Sequence, residues 1–264
     1  MPGTVTIGLS RGLMEIRDFS RDIGQVMFTF SFPALLLLML GGIYDQHLGD
    51  GLNLSHVFAA SIAASAIVST SFVNLGGSIA AERDDGTLKR LRTTPMPKVS
   101  YFMGKIILVL VISVVELALM LGLAVLLYDM KLPTDAGHWL RLGWLFLLGV
   151  TCWSLLGMAA SGLARSARSA AIIMSVIYTL LGFVSGVYIV PGSIPPVMAD
   201  IGAVFPLKWL AQGFRSALLP DLAQAQEATG SWELGRVALV LLGWTVAGLV
   251  LCMMTFRWRS ARTR

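Results

Sequence analysis

Charged side chains are scarce in this sequence. Asp, Glu, Lys and Arg together make up 13% of the 264 residues, whereas a soluble domain usually carries about 25%. Hydrophobic residues make up 56%. This balance excludes an ordinary soluble globular protein and indicates a chain that is surrounded by lipid. No room remains for a second globular domain of usual size beside the apolar segments.

Residues that carry bond chemistry are also few. The histidines and cysteines are scattered without metal-ligand spacing, so we predict no metal site. No G-x-x-x-x-G-K-[ST] phosphate loop occurs. A G-x-S-x-G match at 8–12 has no preceding strand and lies across the predicted membrane from every histidine, so we interpret it as chance. The net charge of +5 lies in short clusters between apolar runs, which indicates membrane topology and not nucleic-acid binding.

Long apolar runs are what the sequence has in abundance. Six of them approach the roughly 20 residues that a helix needs to cross about 30 Å of hydrocarbon. Lipid cannot hydrogen-bond free backbone groups, so each run must be a helix. The sequence therefore predicts an all-α membrane protein with a six-span domain over 26–256, a cytoplasmic amphipathic helix at 1–25 and a basic cytoplasmic tail at 257–264. The predicted spans are 26–44, 57–81, 101–128, 142–163, 170–190 and 237–256.

Lysine and arginine are divided unevenly between the connecting segments. Most of the 20 basic residues fall before the first run, after the second, after the fourth and after the sixth. Basic segments stay on the cytoplasmic side of a membrane, and an even number of spans returns the chain to its starting side. We therefore expect both termini in the cytoplasm and a location in a prokaryotic cytoplasmic (inner) membrane.

The stretch 5–23 has the pattern of an amphipathic helix. Val5 and Leu9 share an apolar face, whereas Arg11 and Glu15 share a polar one. Such a helix is too polar to span a membrane and is suited to lie on its surface. The alternative is an ordinary solvated helix that packs on a partner.

The segment before the last run, 191–219, is predicted to be external, yet much of it is apolar. Prolines divide it into two short amphipathic pieces, neither of which is long enough to span. We predict a re-entrant helical hairpin that dips into the outer leaflet, with its non-helical backbone shielded by protein. The alternative is two helices that lie flat at the interface.

Several polar side chains lie inside the apolar runs. Glu116 is the one acidic residue deep within a run, where an ionised carboxylate costs about 2.5–3.5 kcal/mol. It either contacts a substrate or a proton, or bonds a neighbouring helix. The second run carries Ser65, Ser69 and Asn74. Polar stripes of this kind more often pack helices than line a pathway, so these four residues are candidate pathway residues with a structural alternative.

Two segments indicate more specifically which kind of membrane protein this is. Residues 82–95, ERDDGTLKRLRTTP, resemble the E-R-x-x-G-T-L-x-x-L-x-x-T-P signature of type-2 ABC exporter permeases. Residues 181–215 resemble the second signature of that family, before the last span. They depart from it at Phe205, where the family more often has Asn before Pro-Leu. The two matches, in this order and spacing, cover nearly the whole chain.

Members of that family work as dimers of six-helix units, each docked on a separate subunit that holds ATP and Mg. The resemblance implies an ABC ATPase, a second permease copy (identical or not) and membrane lipid as partners, with docking on the helices near 5–23 and 82–94. It implies no bond chemistry and no cofactor in this chain. The residues it implies for coupling to the ATPase are Glu82, Arg83, Gly86, Thr87, Leu88, Arg90 and Leu91. Those it implies for an external gate are Gly186, Pro191, Pro195 and Pro206.

The residues and the resemblance together predict the membrane subunit of an ATP-driven exporter for an amphiphilic drug, lipid or glycolipid. One rival is an ion-coupled carrier or channel that uses Glu116 and needs no ATPase. The other is an intramembrane enzyme, which needs His, Asp, Ser or Cys clustered at one depth, and the sequence does not supply such a cluster.

Overall fold

The computed structural model describes residues 3–44, 47–49, 52–93, 97–227 and 229–255. Within these ranges the chain is nearly all helical, with one short antiparallel hairpin of β1 (His47–Gly49) and β2 (Leu52–Asn53). The helices are α1 (Thr4–Arg21), α2 (Ile23–Ile43), α3 (Leu54–Val68), α4 (Leu75–Asp84), α5 (Thr87–Thr93), α6 (Lys98–Tyr128), α7 (Ala136–Leu163), α8 (Ala167–Val184), α9 (Pro196–Val204), α10 (Pro206–Leu218) and α11 (Leu234–Thr255). A π-helix occupies Ser69–Asn74, and 3-10 turns occupy Pro191–Ser193 and Asp221–Gln226.

Six helical segments of the described chain are long and apolar enough to cross a membrane. They are α2, the continuous rod Leu54–Asp84, α6, α7, α8 and α11. Each coincides with one of the six predicted runs, so the prediction of an all-α fold with six spans is confirmed. The rod Leu54–Asp84 joins α3, the π-helix and α4, and it is called span two below.

The predicted fifth run, 170–190, is too long at its end. Helix α8 stops at Val184, and Gly186 adopts a positive φ of 70°. The backbone N–H of Val187 then donates to the carbonyl of Gly182 at 3.2 Å. This turn needs a residue in the left-handed region, which glycine adopts without steric cost. Apolar composition alone did not reveal the turn, because the residues after it are apolar as well.

Span two lies at the centre of the bundle. Its most apolar stretch is 89% buried, against 22% for α2 and for α11. It packs against α2, α6, α7, α8 and α10. The outer helices instead direct large apolar side chains away from the protein, including Leu239 and Val246 on α11. This distribution is the one expected when lipid covers the perimeter.

The two ends of the bundle differ. We call the end that holds residues 82–93 the motif end, and the end that holds residues 185–220 the hairpin end. Ser100 donates to the carbonyl of Thr4 at the start of α1, and Thr255 at the end of α11 donates to Ala159 late in α7. Both described chain ends therefore lie at the motif end, as an even number of spans requires. The assignment of that end to the cytoplasm stays a prediction, and the predicted tail 257–264 lies outside the described residues.

Helix α1 packs on α6 through its small and polar side. Gly8, Gly12 and Glu15 are buried, whereas Val5 and Leu9 are more than half exposed. The apolar side of α1 thus faces away from the protein. That orientation suits a helix whose apolar side is covered by lipid, and its position on a membrane surface stays a prediction.

The segment 191–219 contains two helices, α9 and α10, which meet at Phe205. Helix α10 is almost wholly buried and packs against α3, α7 and α11, whereas α9 exposes Val197 and Val204. Proline begins both helices at a position where its missing N–H costs nothing. Entry of this pair into a membrane leaflet stays a prediction.

Candidate functional site

The turn between α4 and α5 explains the spacing of the charged signature. Asp85 accepts a hydrogen bond from the backbone N–H of Thr87 at 2.8 Å, and Gly86 adopts a φ of +82°. No atom of the described residues lies within 4 Å of a Cβ placed on Gly86, so glycine is required there for its backbone conformation and not for space. Leu88 is 1% exposed and anchors α5 to the bundle.

Glu82 lies at the centre of a buried ion-pair network. Lys105 on α6 donates to Glu82 at 2.6 Å and to Glu15 on α1 at 2.9 Å. The hydroxyl of Tyr101 donates to the second Glu82 oxygen at 2.7 Å, and Arg11 forms an ion pair with Glu15 at 2.6 Å. We call Arg11, Glu15, Glu82 and Lys105 the charge cluster. It links α1, α4 and α6, and its two acids match its two bases.

Burial makes the charge cluster sensitive to the loss of one member. Lys105 is 2% exposed and the side chain of Glu15 is 8% exposed. A buried charge that loses its partner costs about 3–5 kcal/mol, whereas the intact pair contributes little net stability. The cluster therefore fixes the relative positions of three helices more than it stabilises the fold.

Close backbone contact between α1 and α6 brings the charges together. A Cβ on Gly104 would lie 2.6 Å from Cγ of Arg11, and a Cβ on Gly12 would lie 2.8 Å from Ile107. A larger residue at either position would push the helices apart. These glycines therefore let Arg11 and its neighbour Glu15 reach the start of α6.

Arg83 and Asp84 point to other helices. Arg83 donates to the carbonyls of Ser161 and Ala164 at 2.5 and 2.7 Å, at the end of α7. Asp84 accepts from the backbone N–H of Ala167 at 2.6 Å, at the start of α8. Both contacts satisfy helix-terminal groups that have no partner within their own helix. Three consecutive side chains thus connect the end of span two to α1, α6, α7 and α8.

The remaining predicted coupling residues lie on α5. Lys89 and Arg90 are exposed, and Thr87 and Leu91 are half-buried. The basic exposed face and the buried Leu88 on the opposite face make α5 a short amphipathic helix at the motif end. The structure thus brings Glu82, Arg83, Gly86, Thr87, Leu88, Arg90 and Leu91 into one corner, and their role in coupling stays a prediction.

Three of the four candidate pathway residues inside the spans hydrogen-bond neighbouring helices. Ser65 hydrogen-bonds the Tyr178 hydroxyl at 2.9 Å, and Glu116 accepts from Thr70 at 2.9 Å. Asn74 donates to the hydroxyl of Thr29 at 3.1 Å. Glu116 is 1% exposed, and Ser69 is half-buried. These contacts are of the packing type that was the structural alternative, and a role in substrate passage stays a prediction.

At the hairpin end, Arg215 on α10 forms a second buried ion pair that the sequence did not indicate. Its guanidinium donates twice to Glu227, at 2.5 and 2.9 Å, and once to Ser61 of span two at 2.9 Å. Arg215 and Glu227 are 1% and 3% exposed. The arginine also lies 3.5 Å from the carbonyl of Gly186. Arg215 therefore ties the hairpin and its following loop to the centre of the bundle.

The predicted gate residues precede this ion pair in the sequence and lie at separate turns and helix starts of the hairpin end. Gly186 makes the left-handed turn after α8, Pro191 begins a 3-10 turn, Pro195 precedes α9 and Pro206 begins α10. Each sets a backbone direction at the hairpin end. Their role as a gate stays a prediction.

Comparison with known proteins gives a consistent result. A family model described as "ABC-2 type transporter" matches residues 13–219, which include three of the four members of the charge cluster, the α4–α5 turn and α10. A protein of Bacillus subtilis (strain 168) named "Putative transport permease YvfS" is 23% identical over 196 residues. The match covers 74% of this chain and 79% of that protein.

Proposed function

We propose that this chain, which belongs to the ABC-2 type transporter family, moves an amphiphilic drug, lipid or glycolipid outward, driven by ATP hydrolysis on a separate subunit. The family and the six spans make it an integral membrane protein and the permease subunit of a transporter. The outward direction, the substrate class, the ATPase partner and the inner-membrane location, with the motif end in the cytoplasm, are the proposed parts.

The charge cluster is the observation that carries the proposal. A subunit powered by a partner needs a rigid connection between the docking surface and the spans. Glu82 supplies it to α1 and α6, and Arg83 and Asp84 supply it to α7 and α8. Force on the short helix α5 would thus reach four helices through three adjacent side chains. A surface loop without such buried contacts would move independently of the spans.

Helix α5 has the form of a docking element for the proposed ATPase. It is short, it is anchored by buried Leu88, and it exposes Lys89 and Arg90. Such a surface favours a partner groove with acidic side chains. Helix α1 contacts Glu82, at the end of span two, through Arg11 and would complete the docking surface. ATP and Mg would be bound by the partner, and a second permease copy would complete the transporter.

Arg215 and Glu227 support a gating role for the hairpin. They join α10, the loop after it and span two in one contact. Span two also carries Glu82 at its other end, so one rod connects the proposed docking surface with the proposed gate. Alternating access would follow from movement of this rod relative to its neighbours.

Reconstitution in proteoliposomes tests the proposal. The chain alone, the chain with its ATPase and ATP, and the chain with a proton gradient but no ATPase are compared for movement of a fluorescent dye, a labelled phospholipid and a labelled glycolipid. We expect the dye or one of the labelled lipids to move only when the ATPase and ATP are both present. Movement driven by the proton gradient alone would favour the carrier that uses Glu116.

A further inference from the structure

The middle of span two is a π-helix without an evident cause in its own sequence. Residues Ser69–Asn74 read STSFVN and contain neither proline nor glycine. In a π-helix the backbone hydrogen bonds run from i to i+5, which interrupts the regular ladder of an α-helix. Such a segment persists only where the surrounding contacts favour it.

Three helices contact the π-helix through side chains. Thr70 donates to Glu116 on α6 at 2.9 Å. Asn74 donates to Thr29 on α2 at 3.1 Å. The ring of Phe72 packs edge-on against Trp153 of α7, with centroids 5.5 Å apart. The π-helix is therefore held by tertiary contacts at its start, its middle and its end.

Backbone contact with α7 adds a crossing point at the same level. A Cβ on Gly157 would lie 2.8 Å from the carbonyl oxygens of Ser71 and Phe72. A Cβ on Gly76, just after the π-helix, would lie 2.7 Å from the carbonyl oxygen of Gly157. The two backbones therefore touch at this crossing point without a side chain between them, next to the ring contact of Phe72 with Trp153.

Several buried hydrogen-bonding groups near the π-helix have no hydrogen-bond partner among the described residues. The second carboxyl oxygen of Glu116 and the hydroxyls of Ser71 and Ser113 are buried and have no partner among the described residues. Ser71 is the neighbour of Thr70, and Ser113 lies one helical turn before Glu116 on α6. A site with a purely structural role normally satisfies its buried polar groups. Here the unused groups offer partners for a second arrangement.

We propose that the π-helix is the hinge of span two and that Glu116 is a positioning residue that holds one of its two arrangements through Thr70. This inference rests on the proposed function. On one side of the hinge, α4 carries Glu82 and leads to the proposed docking helix α5. On the other side, α3 carries Ser61, which accepts a hydrogen bond from Arg215. Bending at the hinge changes the angle between these halves and so links the motif end to the hairpin end. Glu116 acts in this as a hydrogen-bond acceptor and not as a carrier of protons.

Hydrogen exchange read by mass spectrometry tests the hinge directly. The complex of the full chain with its ATPase is placed in lipid nanodiscs and compared without nucleotide and with ATP plus vanadate, which traps ADP on the ATPase after hydrolysis. Exchange in peptides that cover 69–74 is expected to differ between the two states by more than exchange in peptides from 55–65 of the same rod. Equal exchange in the two states, in a preparation that hydrolyses ATP and transports, would overturn the hinge and leave the proposed function intact.

A matched pair of variants tests the role of Thr70. T70V removes the donor to Glu116 while keeping the shape of the side chain. T151V is its control, because Thr151 bonds only the carbonyl of Leu147 in its own helix and is exposed. ATP-driven movement of the three fluorescent probes is expected to fall roughly five- to tenfold in T70V and to stay at the wild-type rate in T151V. Equal rates in the two variants would overturn the role of Thr70 and Glu116.

Two substitutions at Glu116 separate hydrogen bonding from proton transfer. E116Q keeps an acceptor for Thr70 and cannot ionise, so it is expected to transport far better than E116L. If E116Q and E116L are equally inactive while both bind the ATPase, the positioning role is wrong. If the wild-type complex moves no probe with ATP, the proposed function fails, and the hinge fails with it; the wild-type sample identifies that case.

Discussion

Lys105 and Glu82 form an ion pair of 2.6 Å that joins the start of α6 to the end of α4. The side chain of Lys105 is 2% exposed, and its ammonium also contacts Glu15 of α1 at 2.9 Å. The same carboxylate of Glu82 accepts from Tyr101. One lysine therefore holds the last turn of span two, the first turns of α6 and the polar side of α1 together. This relationship makes residues 82–93 part of the bundle.

Replacement of Lys105 by Met is expected to destabilise the protein strongly. It leaves the buried Glu15 and the partly buried Glu82 with Arg11 as their remaining cation, and an uncompensated buried charge costs about 3–5 kcal/mol. The midpoint of thermal unfolding in detergent or nanodiscs measures the effect. Lys89→Met is the control, because Lys89 is exposed on α5. Equal midpoints for the two variants would contradict the buried network.

Replacement of Gly86 by Ala is expected to weaken the α4–α5 turn by about 1–2 kcal/mol, because the residue must adopt a φ of +82°. The distortion would displace α5 and reduce binding of the ATPase. Gly77→Ala is a matched control, since a Cβ at Gly77 meets no atom within 4 Å in the part of the chain that the structure describes, and its backbone is helical. The amount of ATPase that each variant retains in a pull-down measures the effect. If G86A binds as much ATPase as G77A, the turn is not needed for docking.

Reversal of charge on α5 is expected to weaken association with the ATPase. The double variant K89E/R90E turns an exposed basic face acidic, which opposes an acidic partner groove. R236E, at the hairpin end, is the control. The dissociation constant for the ATPase in nanodiscs should rise in the double variant and should depend less on salt than in the wild type. Unchanged affinity and salt dependence would exclude an electrostatic contribution of α5.

Replacement of Arg215 is expected to lower the free energy of unfolding by more than replacement of an exposed arginine does. R215M leaves Glu227 buried and unpaired, with an expected cost of about 3–5 kcal/mol. R236M is the control, since Arg236 pairs with Glu233 but its side chain is 67% exposed and such pairs contribute at most about 1 kcal/mol. Thermal unfolding of the two variants provides the comparison. Similar losses in both would contradict a role of Arg215 as an anchor of the hairpin end.

The sequence predicted the spans because apolar length alone decides whether a helix can cross a membrane. The resemblance also implied a helix near 82–94, and the structure has α5 (Thr87–Thr93) there. The charge cluster was not predicted. Lys105 had the appearance of one more basic residue at a membrane boundary, and its contact with Glu15 depends on the close packing of α1 on α6.

The ion pair of Arg215 with Glu227 and the π-helix also escaped prediction, each for a physical reason. Glu227 lies in a polar loop, and only the folded chain brings that loop over α10. The π-helix contains no proline or glycine that would indicate it from the sequence. Contacts with side chains on α2, α6 and α7 stabilise it instead. Contacts between elements that are distant in sequence leave little trace in local composition.

The coupling role of Glu82 is tested by measuring ATP hydrolysis and transport together in the variant Glu82→Ala. The complex with the ATPase is reconstituted in proteoliposomes beside the wild type and beside Asp200→Ala, which removes an exposed carboxylate on α9. Membrane insertion is checked for all three. E82A is expected to insert normally, and its complex is expected to hydrolyse ATP but to move little or no probe, whereas D200A is expected to transport at the wild-type rate. Transport by E82A at the full wild-type rate would contradict the claim that Glu82 connects the docking surface to the spans.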